Sequence, residues 1–375
     1  MRYTRYIATN FAYGTGPYLR TTDLALAVNN ALERAGQKRG RIIVPLVYGA
    51  KQKRVMQEEF GDILRQYPQE LIFDEKLGAY LESIFYGGGS YEGALKKWIL
   101  NVDDVSRNIQ MHLHKTYGDR IIMELHRSPR VLYNIAPSYF TSFASISEIF
   151  THAIGNDEIA VDDDVFRQAL PKITAIEQNH RMHFLSDPGT FSYNKERGHI
   201  FTDEISSPPM IHPPKGNTVV MQRGVFVTVT GIPGLERLYK EAMSLGITVY
   251  TNDVDAVPFG KKALPSIIPN PNIVLQFARS GWSSVWLSQV SGTPLVVPGF
   301  DTYDDPEIYF NNICIEKLGL GIVYRGQSLG EILREGETLQ PKIEKYNQGL
   351  LQRFGTFDGI GYCAERITQD FLGFF

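Results

Sequence analysis

Ala278-Arg-Ser-Gly-Trp-Ser-Ser-Val-Trp-Leu-Ser-Gln-Val-Ser-Gly-Thr-Pro-Leu-Val-Val-Pro298 follows one apolar run, Ile273–Phe277, and ends in another, Pro294–Val297. The residues between, from about Ser283 to Val290, carry helical spacing. A strand, a helix and a strand in this order make a parallel pair with a crossover. The turn that opens the helix holds a Gly, which permits close backbone approach, and then a Ser pair. A helix N-terminus offers unpaired N–H groups and the positive end of the helix dipole, which together favour an anion such as a diphosphate. Ser283 or Ser284 as a plain N-cap accounts for the same residues.

The alternation extends in both directions. Gly224–Thr230 reads as a strand, Leu235–Ser244 as a helix and Gly246–Tyr250 as a strand. Further upstream, Tyr3–Ala8 and Arg41–Tyr48 are strand-like, and Thr22–Ala35 and Gln52–Gln66 are helical. Arg120–Leu125 and Val131–Ile135 are apolar runs, with a helix expected around Ser145–Thr151. Between the halves, Ser206-Ser-Pro-Pro-Met-Ile-His-Pro-Pro-Lys-Gly216 carries four prolines in eleven residues, a stiff extended connection. No repeat period emerges. The fold class expected is α/β, with two Rossmann-like doubly wound domains facing a cleft. Residues 1–207 form the N-terminal domain and 208–358 the C-terminal one. Residues 359–375 form an amphipathic helix that buries Ile367, Phe371 and Phe374.

Composition agrees. The chain has 375 residues, and about 150 per domain points to two or three domains. It is 43% hydrophobic and 21% charged, which excludes a largely disordered chain. With 38 basic against 41 acidic side chains the net charge is −3, without the basic excess a non-specific nucleic-acid binder needs. Cys314 and Cys363 are the only cysteines, too few for a disulfide framework. The N-terminus lacks a signal-peptide h-region and no window reaches ~18 consecutive apolar residues. A cytoplasmic protein is expected, with peripheral membrane association as the alternative.

Arg279-Ser-Gly281, Gly292-Thr-Pro294, Pro298, and Asn311 ahead of Glu316-Lys-Leu-Gly319 resemble the donor-binding signature of GT-B glycosyltransferases. The likeness is to the UDP-N-acetylglucosamine transferases that form lipid II. Gly281-Trp-Ser-Ser284 is also similar to the His-x-Gly-Trp-x-Ser run of plant and antibiotic glycosyltransferases. The resemblance implies transfer of a sugar from a nucleotide-diphosphate donor, a UDP-sugar by the family's habit, with no cofactor. The acceptor would be a small molecule, a glycan or a lipid-linked hydroxyl. Gly281, Trp282, Ser283 and Ser284 would approach the donor diphosphate, with Arg279 or Arg20 offsetting leaving-group charge. Glu307 falls on the acidic position that holds donor-sugar hydroxyls, and Asn311 would fix that loop. Two positions depart: Leu287 replaces the acid that grips the ribose, and Ile308 replaces the Gln after the sugar-binding acid.

Other motifs fit the same frame. The stretch Tyr13 to Asp23 resembles the family's glycine-rich loop after the first strand, which implies Gly14, Thr15 and Gly16 facing the cleft; an ordinary strand-to-helix turn accounts for the same residues. The His usual near it is absent. Phe85-Tyr-Gly-Gly-Gly-Ser-Tyr91 is a second glycine cluster, either acceptor-shaping or a surface loop. Thr228-Val-Thr-Gly-Ile-Pro-Gly234 ends a strand before a helix, which suits a phosphate or a nucleotide edge, with Thr230 and Gly231 then in the donor-binding set, and equally suits a capped helix start. An inverting transfer needs a base for the acceptor hydroxyl, and Asp23 and His126 are the candidates. A retaining enzyme would need none. His112-x-His114 and His180-x-x-His183 lack companions at metal-ligand spacing. Asp162–Asp164 and Asp253-Val-Asp255 read as solvated loops, so no metal is expected. A non-hydrolysing nucleotide-sugar epimerase on the same fold, or a sugar-nucleotide-binding non-enzyme, stands as the alternative.

Overall fold

The computed structural model describes residues 5–11, 14–85, 89–128, 130–201, 203–217, 219–228 and 235–373. The chain forms two compact units. The first comprises Met1–Ser186, Gly198–Met210 and Gly359–Phe375, and the second Asp187–Arg197 and Ile211–Asp358.

Unit 1 runs β1 (Tyr6–Asn10), α1 (Thr15–Arg34), β2 (Arg41–Pro45), α2 (Gly49–Glu59), α3 (Gly61–Gln66), β3 (Leu71–Asp74), α4 (Glu75–Phe85) and α5 (Tyr91–Tyr117). It continues with β4 (Ile121–His126), β5 (Ser138–Ser142), α6 (Ile146–Ala153), α7 (Asp163–Glu177), β6 (Met182–Ser186) and β7 (Glu204–Ser207). Unit 2 has β8 (Gly224–Val227), α8 (Glu236–Ser244), β9 (Thr248–Thr251), β10 (Lys261–Lys262), β11 (Ile273–Phe277) and α9 (Trp282–Ser291). Then follow β12 (Leu295–Val297), α10 (Pro306–Leu318), β13 (Gly321–Val323) and α11 (Leu329–Phe354). The last helix, α12 (Gly359–Phe371), belongs to unit 1.

Each unit is built on a parallel sheet. Unit 1 has the order β3-β2-β1-β4-β5-β6-β7 and unit 2 the order β10-β9-β8-β11-β12-β13. Both are the doubly wound arrangement in which strand order reverses after the first strand, and ligands bind outside the strand carboxyl ends at that reversal. In unit 1 the reversal lies between β1 and β4, in unit 2 between β8 and β11. The central strands β1, β4, β8 and β11 are buried almost throughout, as strands covered on both faces of a parallel sheet are.

The helix α12 packs on α1 and β7. Asp370 accepts from the Tyr139 hydroxyl at 2.7 Å and pairs with Arg181 at 2.7 Å. At its start, a Cβ on Gly359 would stand 2.2 Å from the carbonyl oxygen of Pro209, so only glycine lets the chain pass there. Ile367 is buried, Phe371 half-buried, and Phe374 lies outside the described residues.

Several elements differ from the sequence reading. Residues 131–137 form no strand, because the buried Glu124 carboxylate accepts from the Ile135 and Ala136 amides at 2.6 and 2.9 Å. The strand comes later, as β5. The Pro-rich connection starts two residues further on than expected, since Ser206 and Ser207 pair with β6. The segment 187–197 joins unit 2, which no local pattern announced. Asp162 is the N-cap of α7, accepting from the Asp164 amide at 2.9 Å, so the acidic triplet opens a helix rather than a loop.

Candidate functional site

The turn after β11 lies at the strand reversal of unit 2. Ala278 still pairs with β12, its amide donating to Val296 at 3.1 Å, and the chain then turns through Arg279, Ser280 and Gly281 into α9. The cap of α9 is Gly281 itself, with φ −69° and ψ 132° and no side-chain cap bond. This corrects the reading of Ser283 or Ser284 as an N-cap: both lie inside the first turn. The first intrahelical bonds run from Ser284 and Val285 to the Gly281 carbonyl, at 2.9 and 3.2 Å. The amides ahead of them point out of the helix end, where its dipole is positive. No heavy atom beyond the chain neighbours lies within 4 Å of where a Gly281 Cβ would stand. The backbone conformation there is open to any residue, so the fold does not require a glycine at 281. The space beside it is what the glycine leaves.

The Trp282 side chain does not reach outward. Its indole is 2% exposed, and its Nε1–H donates to Asn311 Oδ1 at 2.7 Å, with Thr190 Oγ1 at 3.0 Å. Its part at the helix end is therefore its main-chain amide. Asn311, wholly buried on α10, uses its whole amide group. Oδ1 accepts from Trp282 and from the Thr190 hydroxyl at 2.8 Å, and Nδ2 donates to the Ser280 carbonyl at 2.9 Å and to Glu307 Oε1 at 3.1 Å. All the bonds an asparagine side chain offers here are made. Glu307 is half-buried in the first turn of α10, whose N-cap Asp305 accepts from the Glu307 amide at 3.0 Å. Arg279 is exposed and pairs with Asp304. The structure thus gathers Gly281, Trp282, Ser283, Ser284, Glu307 and Asn311 around one helix end, while Thr230 and Gly231 lie outside the described residues.

Leu287 packs against Phe226, Tyr250, Ile268 and Ile273. An acid here would face an apolar cluster, which gives a physical reason for leucine at this position.

In unit 1, the expected glycine loop is shorter than read. Gly14, at φ 109°, caps α1, and Thr15 and Gly16 already belong to its first turn. The Gly14 amide donates to the Tyr48 hydroxyl at 2.6 Å. Asp23 lies two turns along α1, its side chain 15% exposed, and pairs with Arg20 at 3.2 Å. His126 sits at the end of β4, beside Asn10 of β1, but is 0% exposed. Its Nδ1 stands 3.0 Å from Asn10 Nδ2 and its Nε2 3.1 Å from Glu124 Oε2, and its ring meets Tyr133 edge-on and His180 at a tilt. Both nitrogens of this enclosed ring lie within hydrogen-bond distance of protein groups.

His112 contacts Asp74 at 2.8 Å, and His180 and His183 are buried in the core of unit 1. Among the described residues no three His, Cys, Asp or Glu side chains converge as metal ligands would. No described helix is long and apolar enough to cross a membrane.

Sequence reasoning missed Thr190, which lies 121 residues from Asn311 in the chain and carries no motif. It also missed the pairing of Gln289 with Asn347 of α11, where Gln289 Nε2 donates at 2.8 Å.

No protein-family model and no curated protein matches the chain. Solved structures do. The chain is similar to TcCGT1, solved in complex with UDP, at TM-score 0.65 and 12% identity over 98% of this chain and 99% of that one. It is similar to the glycotransferase of kitacinnamycin at TM-score 0.62 and 11% identity, over 99% of this chain and 100% of that one. Phytolacca americana UGT2, complexed with UDP-2fluoro-glucose and pterostilbene, matches at TM-score 0.61 and 11% identity over 98% of this chain and 100% of that one. The fold is therefore that of the GT-B glycosyltransferases, two parallel-sheet α/β domains.

Proposed function

We propose that this chain transfers a sugar from a nucleotide-diphosphate donor, a UDP-sugar, to an acceptor hydroxyl. The observation that carries the reading is the α9 N-terminus. It lies at the strand reversal of unit 2, is capped by a glycine without a side-chain bond, and opens on free space beside Gly281. Backbone amides and the helix dipole would hold the diphosphate and stabilise the charge it gains as it leaves. Glu307, braced by Asn311, would accept hydrogen bonds from donor-sugar hydroxyls. Arg279, whose side chain is exposed, is the nearby cation in the sequence.

In an inverting transfer the acceptor oxygen bonds to the anomeric carbon as the bond from that carbon to the phosphate oxygen breaks. The nucleoside diphosphate departs with the electron pair, and a carboxylate takes the acceptor proton. Asp23 is assigned that role, since its carboxylate retains exposed surface while His126 has none. The similarity to enzymes solved with UDP, and in one case with pterostilbene, favours a UDP donor and a small-molecule acceptor. The likeness to the lipid II-forming transferases rests on short motifs, Arg279-Ser-Gly281, Gly292-Thr-Pro294, Pro298 and Asn311 ahead of Glu316-Lys-Leu-Gly319, so a lipid-linked acceptor and a membrane-peripheral site are secondary readings.

Incubation with a panel of nucleotide sugars tests the proposal. Release of the nucleoside diphosphate, slow with donor alone and faster with phenolic acceptors, is the expected result. Formation of an epimeric nucleotide sugar would instead favour the epimerase, and binding without turnover the non-enzyme.

A further inference from the structure

Asp187–Arg197 leaves β6 of unit 1 yet folds as part of unit 2. Its first four residues are tied to three helices there. Asp187 accepts from the Tyr346 hydroxyl at 2.5 Å and from Arg353 at 2.7 Å, both on α11. The Pro188 carbonyl accepts from Trp286 Nε1 at 2.7 Å, and the Gly189 carbonyl from Cys314 Sγ at 3.1 Å. Thr190, with no exposed surface, donates to Asn311 Oδ1 at 2.8 Å and lies 3.0 Å from Trp282 Nε1. Both tryptophans of α9 are thus hydrogen-bonded to this strap.

We infer that Thr190 is a positioning residue for the donor site, its hydroxyl holding Trp282 and Asn311 so that the first turn of α9 presents its amides to the donor diphosphate. The inference rests on the proposed donor site. Thr190 has no surface with which to touch a ligand, so it acts through its two partners. Trp282 is the first residue of α9, and its indole is the lever that fixes how that turn is rotated. Asn311 holds the turn's approach through Ser280 and holds Glu307. Both are joined at Asn311 Oδ1, and Thr190 is the third member of that junction. A valine has nearly the same shape as threonine but removes the hydroxyl, leaving Oδ1 with the indole alone. Serine keeps the hydroxyl and loses a methyl group.

Calorimetric titration with UDP on wild type, Thr190→Val and Thr190→Ser tests this. Thr190→Val is expected to weaken UDP binding about tenfold, the scale of one buried hydrogen bond, with Thr190→Ser within about twofold of wild type. The indole N–H resonances of the three tryptophans, Trp98, Trp282 and Trp286, give a readout without ligand. Thr190→Val should move the Trp282 signal and leave Trp98 in place. Equal UDP affinity in wild type and Thr190→Val, even with a lowered Tm, would show a merely structural hydroxyl and overturn the inference. An unmoved Trp282 signal would overturn it as well. A wild type that fails to bind UDP, while the Trp282 signal still moves in Thr190→Val, would overturn the donor-site reading and leave the positioning of α9 by Thr190 standing.

Discussion

Asn311 on α10 donates its Nδ2–H to the main-chain carbonyl of Ser280, at 2.9 Å, in the turn that leads into α9. Through this bond one buried side chain ties the loop after β11 to the helix that carries Glu307. Charge-neutral amide bonds of this kind contribute about 1 kcal/mol when made, but leaving their buried partners unsatisfied costs about 1–3 kcal/mol. The site is therefore held by geometry that one substitution can undo.

Asn311→Ala should lower Tm and weaken UDP binding together. Ser280 O, Glu307, Trp282 and Thr190 each lose a partner, so a loss of about 2–4 kcal/mol in stability is expected. Thermal unfolding with and without UDP measures both effects. A variant that keeps wild-type affinity would remove Asn311 from the account.

Gly281→Ala should separate binding from folding. At φ −69° alanine is unstrained, and its Cβ meets no heavy atom of the surrounding protein within 4 Å. The gain from a stiffer unfolded chain and the cost of a poorer cap nearly cancel, leaving stability within about 0.5 kcal/mol. The methyl group instead fills the space assigned to the diphosphate. Calorimetry should show UDP affinity reduced at least about tenfold; unchanged affinity means that the anion sits elsewhere.

Glu307→Ala should cripple turnover more than folding. Removing a carboxylate that accepts from sugar hydroxyls costs about 1.5–3 kcal/mol, or about 10- to 100-fold in kcat/KM. UDP alone, lacking the sugar, should bind nearly as before. Steady-state kinetics with the best donor of the panel decides, and an unaltered kcat/KM would end the assignment.

Acid sensitivity should come from unit 1. Burial holds His180 well below its usual range, with His126 and His183 beside it adding to the depression, and its Nε2 has no hydrogen-bond partner among the described residues. A histidine depressed in the folded state adds nothing to pH dependence above its unfolded pKa of about 6.5. Below that value the unfolded chain takes up the proton and the folded chain resists, so stability is lost as pH falls. The ring stacks on Phe140 at 5.3 Å, so His180→Phe keeps an aromatic ring in the stack while removing the titrating group. That variant should flatten the loss of Tm between about pH 6.5 and 5. The same slope in both proteins would place the acid sensitivity elsewhere.

Much of this was legible in sequence because it is local. The strand Ile273–Phe277 has the observed boundaries, and the helix after it is off by one residue at each end, since β-branched runs and the Gly281 and Gly292 breaks mark them directly. Other elements also carry a local signal. The spacing of Leu95, Trp98, Val102, Val105, Ile109 and Leu113 is helical and builds α5, and Ser328 with Glu331 forms the capping box of α11. What was not legible is long-range. Trp282 looks like a ligand contact in sequence because its motif says nothing of the acceptors waiting in Asn311 and Thr190. His126 looks reactive at a strand end, but Glu124 of its own strand closes over one nitrogen, and Asn10, Tyr133 and His180 come in from elsewhere in the chain.

The crystal structure of the chain with UDP tests the central claim most directly. The account predicts the diphosphate at the start of α9, with its oxygens accepting from main-chain amides of the Gly281–Ser284 turn. Nucleotide bound away from that turn, or none bound at saturating concentration, would contradict it.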